Sequence, residues 1–158
     1  MVKFFDMNYK WGLGIGFTQN KDNSRLINAD SGGNHRPVGN FLDLHTYSAP
    51  SYPLQYDGLI NVIGEYGGLG LEIKNHTWKD NNWGYQVLND KLELTNRYIE
   101  YINNLIELIP KGISAAIYTQ TTDVEGEING LMTYDRNETK IYDAIKEYHE
   151  KLISSLSE

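Results

Sequence analysis

Glu65 closes an apolar run, "LINVIGEYGGLG" (59–70), and is followed at once by Tyr66, Gly67 and Gly68. Two other apolar runs end in reactive groups. "FLDL" leads into His45 and Tyr47, and "ISAAIY" into Thr119, Gln120 and Asp123. Carboxylate, imidazole and phenol groups are those through which sites move protons. A charged group at the end of a buried strand needs partners or a chemical task. Glu65 has two readings: a loop carboxylate held by backbone donors of Gly67 and Gly68, or a functional group. His45 is equally open between a hydrogen-bonded structural residue and a functional one. Several such groups on one rim shift the balance toward function but name no reaction.

The elements that must hold them follow from pattern. "RLINA" (25–29), "NFLDLHTY" (40–47), "LINVIGEY" (59–66) and "GISAAIYTQ" (112–120) are strand candidates. Near-continuous apolar runs predict strands covered on both faces, as in parallel α/β sheets. Over 88–109, Leu92, Tyr98, Ile99, Ile102, Leu105, Ile106 and Ile109 fall near helical spacing, and Pro110 and Gly112 end the helix. A second helix is predicted over 138–156, capped by Asn137, with Ile141, Ile145, Tyr148, Leu152, Ile153 and Leu156 as its buried stripe. The order β–α–β–α predicts right-handed parallel crossovers, and such folds place chemistry at the carboxyl ends of their strands.

Bulk properties narrow the classes. The chain has 158 residues, a size for one compact domain, with a net charge of -7. That charge disfavours nucleic acid and anionic membrane as partners. There is no cysteine, so no disulfide frame, thiolate zinc site or thiol nucleophile is expected. No run reaches membrane-spanning length, and the start, "MVKFFDMNYKWG", does not read as a signal peptide. The compartment stays open: cytoplasmic, periplasmic or secreted. Aromatic residues, 12 of them Tyr, suit sugar stacking but are also ordinary core residues. "WGLGIGF" (11–17) lacks the Lys-Ser/Thr of a phosphate loop and reads as a poorly packed segment. His35, His45, His76 and His149 show no metal-ligand spacing, so no metal or other cofactor is expected. The sequons "NHT" (75–77) and "NET" (137–139) read as chance matches.

The stretches "DLHTYSAP" (43–50), "GEYGGLGL" (64–71), "HTW" (76–78), "WGY" (83–85) and "SAAIYTQTTDVEGEINGLMTYDR" (114–136) resemble family 2 glycoside hydrolases, most of all their β-galactosidase-like members. The likeness covers about 25–136 and falls on the C-terminal half of the catalytic barrel. It implies an α/β fold, a partial (β/α)₈ barrel holding about its fifth to eighth strands and last two helices, over residues 25–158; residues 1–24 are poorly matched. It implies a retaining mechanism, in which two carboxyl groups ~5–5.5 Å apart serve as nucleophile and acid/base. Glu65 falls on the nucleophile, Tyr47 on the tyrosine that hydrogen-bonds it, and His45 on a sugar-hydroxyl contact. Trp78 and Trp83 fall in the loop after the nucleophile, as a stacking wall or as packing beneath the loop. Gln120 and Asp123 are weaker lining candidates. Some family members use magnesium or sodium, for which Asp30 or Asp123 would be the carboxylates.

The resemblance fails at the acid/base. The family places an Asn-Glu pair shortly before Trp-Gly; here "NYKWG" (8–12) has Tyr9 at the glutamate position. Either the chain begins after that strand or this copy has lost the acid. A full barrel takes ~250 residues, so a half-barrel with two open edges and an uncovered apolar face is expected. The implied partners are a β-galactoside-like carbohydrate and either the other half of the barrel or a second copy. The alternative is a non-catalytic carbohydrate-binding or assembly fragment.

Overall fold

A computed structural model describes residues 14–33, 35–52 and 58–157. Helix α1 covers 14–21, so Gly14 and Gly16 are helical rather than irregular; a Cβ at either would meet open space. Asn8, Tyr9, Trp11 and Gly12 lie outside the described residues.

Strands β1 (Phe41–Thr46), β2 (Ile60–Gly67) and β5 (Ile113–Thr119) form one parallel sheet in the order β1-β2-β5. Short strands β3 (Leu69–Gly70) and β4 (Gln86–Val87) pair separately. Helix α2 (Lys91–Leu108) crosses from β4 to β5, and α3 (Ile145–Ser154) follows the sheet. The fold is α/β with parallel crossovers, and the described residues form no closed barrel. Among them no helix is long and apolar enough to cross a membrane.

The chemistry of each element is local. Asp90 caps α2 by accepting from Glu93 N, while the Glu93 carboxylate accepts from Asn89 N, so two orphan amide donors are satisfied reciprocally. The helix closes in a 3₁₀ turn at Ile109–Lys111, and Gly112 (φ 97°) takes the left-handed position that stops it. Leu94, Tyr98, Tyr101, Ile102 and Leu105 face Ile63, Tyr66, Leu69 and Leu71, and this is the core. Leu92 instead faces solvent, because the buried stripe runs through Leu94 and Tyr98.

Three expectations change. "RLINA" is not a strand. It runs beside the edge of β1, with Ile27 N donating to Asn40 Oδ1 and Asn40 N to Ile27 O, so one asparagine replaces a ladder. Among the described residues the sheet therefore has three strands, not four. Strand β5 is not covered on both faces: Ser114, Ala115 and Ile117 are exposed, and no other described strand pairs with its outer edge. The second helix begins at Ile145, not 138, because residues 133–141 close a loop around Lys140. There Thr133 N donates to Glu138 O and Lys140 N to Leu131 O. Asn137 caps nothing; its side chain donates to Asp135. Ile141 is buried outside the helix, while Ile153 and Leu156 are exposed.

Candidate active site at the carboxyl end of the sheet

A β-bulge sets the site. Leu44 pairs with Ile63 and His45 with Glu65, so Gly64 has no partner on β1. A bulge frees one N–H and re-aims the next side chain. The freed Gly64 N–H donates to Asp43 Oδ1 at 3.0 Å. The site tolerates no side chain at 64, since a Cβ there would sit 2.0 Å from Asp43 Oδ1. Gly64→Ala is therefore expected to cost about 1–3 kcal/mol in urea unfolding; a neutral substitution would contradict this packing.

The bulge delivers Glu65 beside β1. The Tyr47 hydroxyl, one residue past β1, donates to Glu65 Oε2. His45 Nδ1 lies 3.5 Å from the same oxygen, and its Nε2 lies 3.7 Å from Asp43 Oδ1. Both ring nitrogens thus face carboxylates. Glu65 is 38 % exposed, so the carboxylate is held yet reachable. Of the two backbone donors considered for Glu65, the Gly68 N–H is committed to Thr119 O.

An aromatic wall extends from the pair. Tyr47 stacks on Tyr85 with ring centroids 3.8 Å apart and planes 1° from parallel, and Trp83 meets Tyr85 edge-on at 5.4 Å. A Cβ at Gly68 would strike both Tyr47 and Tyr85, and the residue sits at φ 65°, so glycine is required on both counts. Gln86 donates to the Tyr47 carbonyl at 2.7 Å and also bonds the buried Tyr101 hydroxyl, tying the wall to α2.

The remaining candidates separate. Gln120 lies one residue past β5, at the same carboxyl end of the sheet as Glu65, and its Nε2 is buried with no hydrogen-bond partner among the described residues. Trp78 packs edge-on against Tyr134, joining the loop beyond β5 rather than the Tyr85 stack. Nearby, His76 Nδ1 approaches Asp135 Oδ2 at 2.8 Å; hydrogen bonds from Thr133 and then His76 hold that carboxyl well below the usual carboxylate range. Asp123 does not line the rim. Both its oxygens accept from Lys140 Nζ at 2.6 Å in the interior. Asp30 pairs with Arg36 at 2.8 Å, and among the described residues no three His, Asp or Glu side chains converge as a metal-binding group.

Asp43, Gly64, Tyr85 and Gln86 were not singled out by sequence reasoning. The available signal was an acid inside "FLDL", alternating with His45 and Tyr47 along one strand. No protein-family model and no curated protein matches this chain.

Proposed function

We propose that this chain is the C-terminal half of a retaining β-glycosidase barrel, most like a β-galactosidase, with Glu65 as nucleophile. The observation that supports it is the Tyr47 hydroxyl donating to a reachable carboxylate at the carboxyl ends of adjacent parallel strands. The sequence resemblance assigns those two roles to the same two residues. In the reaction Glu65 attacks the anomeric carbon, a glycosyl ester forms, and the leaving group departs with the bonding electron pair. Tyr47 orients the attacking oxygen, and Tyr85 and Trp83 offer an aromatic face to a sugar. Ester hydrolysis then needs a general base, and no glutamate stands at the matching position, Tyr9. The isolated chain is therefore expected to turn over ordinary glycosides poorly. Activated aryl glycosides need little protonation and should still glycosylate Glu65.

The test is mass spectrometry after incubation with a dinitrophenyl 2-deoxy-2-fluoro-β-galactoside. One covalent adduct on Glu65 is expected; no adduct from a folded sample would overturn the reading. Tyr47→Phe should slow labelling roughly ten- to a hundredfold, the worth of one hydrogen bond to a charged group, with its fold intact. Equal labelling rates would remove Tyr47 from the mechanism.

The second reading, a non-catalytic assembly fragment, draws on three exposed apolar side chains, Ile117 in β5, Ile153 in α3 and Leu156 just after it. It expects a folded chain that self-associates and takes no label.

A further inference from the structure

Asp43 sits between Leu42 and Leu44 inside β1 and is only 6 % exposed. A carboxylate in such a place costs several kcal/mol unless donors meet it. Two donors do. Gly64 N–H reaches Oδ1 at 3.0 Å and Asn28 Nδ2 reaches Oδ2 at 2.5 Å. His45 Nε2 stands 3.7 Å from Oδ1, while its other nitrogen faces Glu65. Gly64 is the bulge residue directly before Glu65. Asp43 therefore reaches Glu65 through the backbone by a hydrogen bond, and His45 stands between the two carboxylates within 4 Å of each. Satisfying the bulge N–H alone would need only a neutral acceptor. The acid is buried and faces, at 3.7 Å, a ring whose other nitrogen faces Glu65.

We propose that Asp43 is a positioning residue for Glu65, setting its backbone through Gly64 and its side-chain surroundings through His45. The proposal rests on Glu65 being the nucleophile, and it assigns a role to a residue that need not touch the sugar.

Two variants separate positioning from mere support of the fold. In Asp43→Asn the amide oxygen still accepts from Gly64, but its NH₂ meets the NH₂ of Asn28. Combining Asp43→Asn with Asn28→Asp restores that hydrogen bond with donor and acceptor exchanged, and leaves a neutral group facing His45. Three quantities are read on the full chain: melting temperature, the rate of Glu65 labelling by the fluorogalactoside, and the ¹⁵N shifts of the His45 ring. The single variant should lose melting temperature and label at least about tenfold more slowly. The double variant should regain melting temperature while labelling stays slow and the ring shifts stay displaced. Recovery of labelling and ring shifts together with stability would overturn the proposal, as would wild-type labelling by the single variant. If the wild-type chain takes no label, the glycosidase reading falls and the ring shifts decide alone. Displacement persisting in the double variant then supports the Asp43–His45 coupling, and wild-type shifts there overturn it.

Discussion

Glu65→Gln is expected to abolish covalent labelling by the fluorogalactoside, a loss of at least about a thousandfold, while leaving the fold unchanged. The amide is nearly isosteric with the carboxylate, and its oxygen can still accept from Tyr47. What it lacks is the negative charge that makes the oxygen a nucleophile toward carbon. Melting should therefore move little, because Glu65 is partly exposed and its neighbours are polar. Intact mass and peptide mapping provide the check. An adduct that persists in Glu65→Gln would place the nucleophile elsewhere. An adduct missing from both proteins would favour the non-catalytic reading.

The second large effect concerns stability. Lys140 is 0 % exposed and its partner Asp123 nearly so, with both carboxylate oxygens held at 2.6 Å. Burial pushes the Asp123 carboxyl up and the Lys140 ammonium down, against the pull of their mutual contact. The pair survives because the contacts are complete: Gly130 N–H also donates to Asp123, and Lys140 also reaches the Ile128 carbonyl. Removing one partner leaves the other charge buried alone. Lys140→Met or Asp123→Ala should each cost about 3–5 kcal/mol in urea unfolding. That is a large share of the ~5–15 kcal/mol that holds a domain together. Replacing both together with apolar residues should recover much of the loss. A single-variant cost below about 1 kcal/mol would show that water reaches the pair.

Why the sequence misplaced α3 follows from the same lysine. Between Asn137 and Ile145, Lys140 reads as a solvent-facing position on an amphipathic helix. Only contact with Asp123, 17 residues earlier, turns it inward and spends residues 133–141 on a loop. Long-range pairing of that kind leaves no periodic trace. Strands β1, β2 and β5 and the span of α2 were legible because their signals are local: short apolar runs, helical spacing of apolar residues, and a stop at Pro110 and Gly112. "RLINA" misled for the converse reason, since strand propensity cannot say whether an edge will be paired by backbone or by an asparagine side chain. In the site, Glu65, His45 and Tyr47 stood out as polar groups ending apolar runs. Asp43 and Gly64 matter through the bulge, and register is a property of two strands together. Tyr85 and Gln86 come to the rim only through β3–β4 pairing, which brings Gln86 beside Leu69.

The Tyr47–Tyr85–Trp83 array also gives the molecule an optical reporter. Light absorbed by the stacked tyrosines passes by energy transfer to the indole 5.4 Å from Tyr85. Trp83 is 48 % exposed, so its emission responds to whatever displaces water from the rim. Trp11 and Trp78 contribute background emission, which a Trp83→Phe difference spectrum isolates. A sugar that settles against Tyr85 would shift that difference spectrum to the blue within the dead time of mixing, before any bond is made or broken. Occupancy and chemistry could then be timed separately in a single cuvette, with no label attached to either partner.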